Sequence, residues 1–224
     1  MTDTRVGPIA LVGGGEWGEG CSFDAALLER SGGDRVLVLP TAAAYEHPDR
    51  SVDTARTWFE GLGARVEGVM VLSRPDAEDP AHAAAVRAAR FIYLGGGSAL
   101  HLRSVLKQSA VWRALEEAWR DGAVIAGSGA GAMVLGDPMV DPRGGAFTLG
   151  LGLIEQLAVL PGASGWSPER LRRTVSLTSA GVALVAVDER TAIIRSPEGT
   201  WSVEGVGSAS VHVGGVVAGF ESLS

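Results

Sequence analysis

The residues best placed to do chemistry lie in one short turn, Gly127-Ser128-Gly129-Ala130-Gly131, which follows the apolar run Ala123-Val-Ile-Ala126. A buried strand that turns sharply into a helix through small residues has the design of a nucleophile elbow, G-x-S-x-G. The central residue of an elbow sits in a strained backbone conformation, and only small residues fit two positions to either side. Gly127 and Gly131 occupy the flanks, but the centre is Gly129, so the nucleophile position is vacant. Ser128 is the alternative nucleophile. It requires the elbow to shift by one residue, with Ala126 and Ala130 as flanks, and a base within hydrogen-bond reach. His101, just after the turn Gly95-Gly-Gly-Ser98, is the alternative base, weighed against a plain histidine on a helix face.

Other candidates carry less. Gly13-x-Gly15-x-x-Gly18 matches a dinucleotide fingerprint, but no acidic residue follows Leu39-Pro-Thr41 to take the ribose hydroxyls. A tight strand-to-helix turn explains it, and no cofactor is expected. Nothing near Cys21 in sequence would lower its pKa, so it reads as inert core. His47, His82, His101 and His212 are scattered, without a pair at metal-ligand spacing, so no metal site is expected. Arg170, Arg172 and Arg173 suit a carboxylate ligand or, equally, a solvated helix face. Trp17 and Trp166 sit on loops that should border the cleft.

The elements that must position these residues alternate. Strand-like runs at Ile9–Val12, Arg35–Leu39, Arg65–Leu72, Phe91–Leu94 and Ala123–Ala126 are rich in Val, Ile and Leu, as strands covered on both faces are. Between them lie helical patterns at Phe23–Arg30, Ser51–Leu62 (capped by Asp49 or Ser51), Ala81–Ala89 and Leu100–Trp119, the last broken near Ser109. Strand, helix, strand at this spacing predicts a parallel sheet with right-handed crossovers. The tail runs Val182–Val187, Thr191–Arg195, Trp201–Val206 and Ser210–Val217 predict antiparallel hairpins closing one side. Ligands of an open parallel sheet bind beyond the carboxyl ends of its strands. The glycine turns Gly13–Gly15, Gly95–Gly97 and Gly127–Gly131 all sit at such ends.

Length and composition set the outer limits. The chain has 224 residues, 46% of them hydrophobic and 20% charged, which suits one domain spanning 1–224. A net charge of −7 repels phosphate backbones, so nucleic acid is not an expected partner. No apolar run is long enough for a membrane span, and the N-terminus lacks the pattern of a signal peptide. With a single cysteine, Cys21, an internal disulfide is impossible, and a cytoplasmic location is expected.

Taken together, the motifs resemble the cyanophycinase and dipeptidase E serine peptidases, relatives of the class I glutamine amidotransferases. Gly127-Ser-Gly-Ala-Gly-Ala132 follows the family elbow, G-x-S-A-G-A, except at the serine. Val12-Gly-Gly-Gly-Glu16, Leu39-Pro-Thr-Ala42, Tyr93-Leu-Gly-Gly-Gly-Ser98, Gly150-Leu-Gly-Leu153 and Val185-Ala-Val-Asp-Glu-Arg-Thr-Ala192 follow in the same order over nearly the whole chain. The resemblance implies a flavodoxin-like three-layer αβα domain that hydrolyses peptide bonds beside acidic residues. It also implies a serine nucleophile, a downstream histidine base and an orienting carboxylate. Gly129 replaces the serine, and 156–173, where the histidine should fall, contains none. Asp137, Asp141 and Glu155 are available as the acid, but an acid with no base to orient has no catalytic role. The expectation is therefore a non-catalytic homologue, with an active hydrolase built on Ser128 as the rival. Backbone N–H groups survive the loss of side chains. Ala130 and Gly96 or Gly97 would form the oxyanion hole and are expected to bind a small anionic or acidic-peptide ligand. A homodimer remains open as the assembly.

Overall fold

The computed structural model describes residues 6–223. Met1–Arg5, on which the reading of the N-terminus rests in part, and Ser224 lie outside them. The first half of the chain alternates as expected: β1 (Ile9–Val12), α1 (Phe23–Ser31), β2 (Arg35–Leu39), α2 (Pro48–Gly61), β3 (Arg65–Gly68), α3 (Arg74–Glu78), α4 (Pro80–Ala88), β4 (Phe91–Leu94), α5 (Ala99–Leu106), α6 (Ala110–Arg120), β5 (Val124–Ser128) and α7 (Ala130–Leu135). The second half is mostly strand: β6 (Gly136–Asp137), β7 (Met139–Val140), β8 (Phe147–Thr148), β9 (Ile154–Glu155), β10 (Leu157–Pro161), α8 (Pro168–Ser176), β11 (Ala183–Val187), β12 (Thr191–Arg195), β13 (Trp201–Gly205), β14 (Ala209–Val213) and β15 (Val216–Ala218).

A seven-stranded sheet runs in the order β13-β12-β1-β5-β4-β2-β3. β1, β5, β4, β2 and β3 are parallel, and the hairpin β12–β13 adds antiparallel to the free edge of β1. The parallel strands are apolar on both faces because both are covered. Ala10, Val12, Val38, Tyr93 and Ala126 face α1 and α2, packing with Phe23, Leu27, Val52, Ala55 and Phe59. Ile9, Leu11, Leu39, Leu94 and Ile125 face the other helices, α3 to α7. This is the three-layer arrangement the alternation predicts.

The structure corrects several boundaries. Helix α2 starts at Pro48, not near Ser51, because proline at the first helical position fits the N-terminus without losing a bond. Strand β3 stops at Gly68 rather than running to Leu72. The break near Ser109 is real: Ser109 caps α6, its hydroxyl accepting from the Trp112 N–H at 3.0 Å.

The tail departs most from expectation. Its hairpins divide between two sheets, and a second sheet of six strands runs β15-β14-β11-β10-β6-β9. Strand β10, which the sequence pattern does not announce, is largely buried and pairs parallel with β11. Ser210–Val217, read as one strand, folds back on itself at Gly214 and Gly215, whose φ values of 59° and 86° make the primed hairpin turn that two glycines permit.

Candidate functional site

Sheet order alone brings the three glycine turns together. β5 lies between β1 and β4, with Val12 opposite Ser128 and Leu94 opposite Gly127. The turns after these strands are therefore adjacent, and the elbow is in the middle.

The elbow is present in backbone form. Gly129 has φ 51° and ψ −107°, its N–H donates to the Val12 carbonyl at 3.0 Å, and α7 starts at the next residue. The flanking glycines have no room for a side chain: a Cβ on Gly127 would lie 2.6 Å from the Gly131 carbonyl carbon, and one on Gly131 would lie 2.3 Å from the Leu94 oxygen. The apex differs. A Cβ on Gly129 would meet nothing nearer than the Gly96 Cα at 3.8 Å. Positive φ, crowded flanks and an open centre put the apex at Gly129 in the unshifted register.

Ser128 lies elsewhere. Strand alternation puts it on the same face as Val124 and Ala126, towards α1 and α2. Its side chain is fully buried, and its hydroxyl donates to Glu16 Oε2 at 2.7 Å. His101 is not its partner, since His101 Nε2 is bonded to the Leu72 carbonyl at 2.9 Å and the ring stands edge-on to Tyr45. The structure thus does not join the alternative nucleophile to the alternative base.

Glu16 is the residue that sequence reasoning missed. It follows the first glycine turn, reaches beneath the elbow to Ser128, and accepts the Gly96 N–H on Oε1 at 2.8 Å. One of the backbone donors expected to hold an incoming anion is thus taken by the protein's own carboxylate. Gly97 approaches another part of the wall: a Cβ there would lie 2.4 Å from the Ala42 oxygen. Ala130, the third expected binding position, is buried at the first residue of α7. The sequence signal for Glu16 is faint: a lone acid after three glycines.

Behind Glu16, on the α1–α2 face, is a sealed polar nest. Asp24 is fully buried, with Oδ2 accepting from Trp58 Nε1 at 2.9 Å and Oδ1 without a partner among the described residues. Burial is the main cause that raises its carboxyl from 3.8 to about 7; the Trp58 N–H opposes this and the Glu16 charge adds to it. The Tyr93 hydroxyl and Trp17 Nε1 are likewise buried and unpartnered among the described residues, and their ring centroids lie 5.1 Å apart. Cys21, also buried, has its thiol pKa raised by desolvation and lies 3.5 Å from the Gly15 carbonyl. A buried thiol with a raised pKa is a poor nucleophile.

The remaining candidates are committed elsewhere. Asp137 Oδ1 accepts from the Gly150 N–H at 2.7 Å, Asp141 forks onto Arg143, and Glu155 is exposed. Arg170 stacks on Trp166 at 3.7 Å. Trp17 is 6% exposed and belongs to the core rather than the cleft wall. Gly13 is glycine because the β11–β12 turn crosses it, leaving a Cβ only 2.1 Å from the Asp188 oxygen. That close approach accounts for the residue without a nucleotide.

Comparison with known proteins agrees with this geometry. Residues 9–198 match Peptidase family S51. A cyanophycinase of Synechococcus elongatus is 28% identical over 219 residues, covering 92% of this chain and 67% of the relative. One from Trichormus variabilis is 25% identical over 221 residues, covering 93% and 74%. Among solved structures, a peptidase from an acI-B1 Actinobacterium superposes with a TM-score of 0.83 at 29% identity, covering 93% of this chain and 91% of that one. A peptidase E protein from Listeria monocytogenes EGD-e gives 0.69 at 16% identity, covering 90% and 100%, and shares the fold. No helix among the described residues is long and apolar enough to cross a membrane. With an S51 match over most of its length and an elbow at the carboxyl end of β5, the chain belongs to peptidase family S51.

Proposed function

We propose that this S51 chain is a non-catalytic homologue that works by binding, in the cytoplasm, at the site its active relatives use for hydrolysis. One observation carries the reading: the strained apex of an intact elbow is Gly129, which has no side chain with which to attack. The missing histidine in 156–173 supports it, since a nucleophile without a base is not activated. The ligand of this reading is a small acidic group held by backbone donors at Ala130, Gly96 and Gly97. Glu16 occupies the Gly96 N–H, so an acidic ligand must displace it.

The test combines a fluorophosphonate probe with turnover on aspartyl dipeptides and on aspartate–arginine polymer, using an active cyanophycinase as control. The expected result is no labelling and no turnover. Labelling or turnover that disappears in Ser128→Ala would overturn the reading in favour of a rearranged serine hydrolase. In that rival, Ser128 with Glu16 at 2.7 Å would be the reacting pair, and Ser128 would have to leave its buried position.

A further inference from the structure

The second sheet carries a groove unrelated to the elbow. It lies between α8 and the β14–β15 hairpin, encloses about 430 Å³, and is lined by Leu171, Arg172, Val175, Ser176, His212 and Val217. In the β11–β14 register His212 pairs with Leu184, whereas Val187, at the other end of β11, has its carbonyl against Gly13 of the elbow cluster. Three residues of strand place His212 about 10 Å back from that end.

His212 is a fixed, buried imidazole. It is 9% exposed, and Nε2 is bonded to the Ser210 hydroxyl at 3.1 Å. Its other nitrogen, Nδ1, has no hydrogen-bond partner among the described residues and is not fully sealed from the surface. Burial lowers its pKa, which keeps the ring neutral. When the Ser210 hydroxyl donates to Nε2, Nδ1 carries the proton and is a donor on a residue that lines the groove. Arg172, on the same groove, is exposed and has no ion-pair partner among the described residues, although the chain carries a net charge of −7. The walls supplied by Leu171, Val175 and Val217 are aliphatic.

From these groups we infer that the groove binds an aliphatic carboxylate. The hydrocarbon lies along Leu171, Val175 and Val217, one carboxylate oxygen meets the Arg172 guanidinium, and the other accepts from His212 Nδ1. The size fits, because small-molecule sites are clefts of roughly 300–1,000 Å³ with apolar walls and a few placed polar groups. A second copy of the chain is a poorer occupant. Val216 and Val217 are exposed on the edge strand, but an apolar dimer contact would bury the Arg172 charge and the free imidazole nitrogen unpaired.

The experiment is an NMR titration of the His212 ring signals in the intact protein, with octanoate as probe and acetate and 1-octanol as controls. Saturable shifts with octanoate, at a Kd tighter than about 1 mM, are expected, with weaker binding of both controls. Arg172→Gln, at an exposed position that should not disturb folding, is expected to weaken octanoate about tenfold. Val217→Asp should weaken it as well. The inference is overturned if octanoate leaves His212 unmoved, if acetate or octanol binds equally well, or if Arg172→Gln changes nothing. It is also overturned if sedimentation shows a dimer that Val217→Asp dissociates, since a partner copy would then fill the groove. None of these outcomes bears on hydrolysis at the elbow.

Discussion

The apex of the elbow and the nest beneath it are neighbours with opposite defects. At the apex the backbone has the strained shape of a nucleophile elbow, with φ 51° at Gly129 and room for a side chain, but no side chain is there. In the nest, Ser128, Cys21, Asp24 and Tyr93 offer hydroxyl, thiol, carboxyl and phenol, but all four are buried. One region has access without chemistry and the other has chemistry without access. A triad needs both at once, because its nucleophile and base must reach the same substrate atom. The elbow's shape is imposed by packing between β4, β5 and α7, which leaves no room for a side chain at Gly127 or Gly131.

The largest effect expected from this contrast is in the nest. Asp24 has a carboxyl raised from 3.8 to about 7 by burial. Between about pH 4 and pH 7 the unfolded chain has released this proton while the native chain keeps it. Native stability should therefore fall as pH rises through that window and level off above it. The full difference is on the order of 4 kcal/mol. Asp24→Asn keeps an acceptor for Trp58 and removes the titration, so it should flatten the dependence. Urea unfolding of both proteins at about pH 4.5 and about pH 8 decides the matter: parallel behaviour would mean that the nest is wetter than its burial suggests.

At the elbow the flanks should prove far less tolerant than the centre. Gly131→Ala drives a methyl to 2.3 Å from the Leu94 carbonyl oxygen, a backbone atom that cannot step aside. Overpacking of that kind costs about 3 kcal/mol. Gly129→Ser meets only Gly96 Cα at 3.8 Å, so its cost is the strain of positive φ in a residue with a Cβ, about 1–3 kcal/mol. Denaturant midpoints should rank the two in that order. On the proposed reading the serine variant should still fail to turn over aspartyl dipeptides, because 156–173 holds no histidine to serve as base. Turnover by Gly129→Ser alone would show that another residue serves as base and that only the nucleophile was lost.

Legibility in the sequence followed the range of the forces. Strands β1, β2 and β4 appear at their expected residues, because an unbroken run of buried aliphatic residues is a local signal. The elbow was legible for the same reason: its glycines are required by neighbours within a few residues. The second sheet was not, because β6 and β9 are two residues long and acquire strand geometry only by pairing with each other and with β10. Glu16 was missed because its partners, Gly96 and Ser128, are remote in sequence. Asp24 was missed for the same reason: its partner, Trp58, lies 34 residues away on α2.

The smallest predicted effect separates the two functional readings most cleanly. Ser128 donates to Glu16 at 2.7 Å, a hydrogen bond to a charged acceptor, and such bonds contribute about 1.5–3 kcal/mol when both partners are buried. Glu16 is only half-buried, so water can replace the lost hydroxyl, and it keeps the Gly96 N–H. Ser128→Ala should accordingly cost about 1 kcal/mol, below that range. It also frees one oxygen of Glu16, loosening the carboxylate that an acidic ligand must displace from Gly96. A sulfate or succinate titration should then show tighter binding than in the unmodified protein, while Glu16→Gln should tighten it further by removing the competing charge. If Ser128 were a nucleophile, the same substitution would abolish hydrolysis and leave anion affinity unchanged. Measuring stability, anion affinity and turnover on this one variant therefore assigns Ser128 either to the reaction or to the floor beneath an empty elbow.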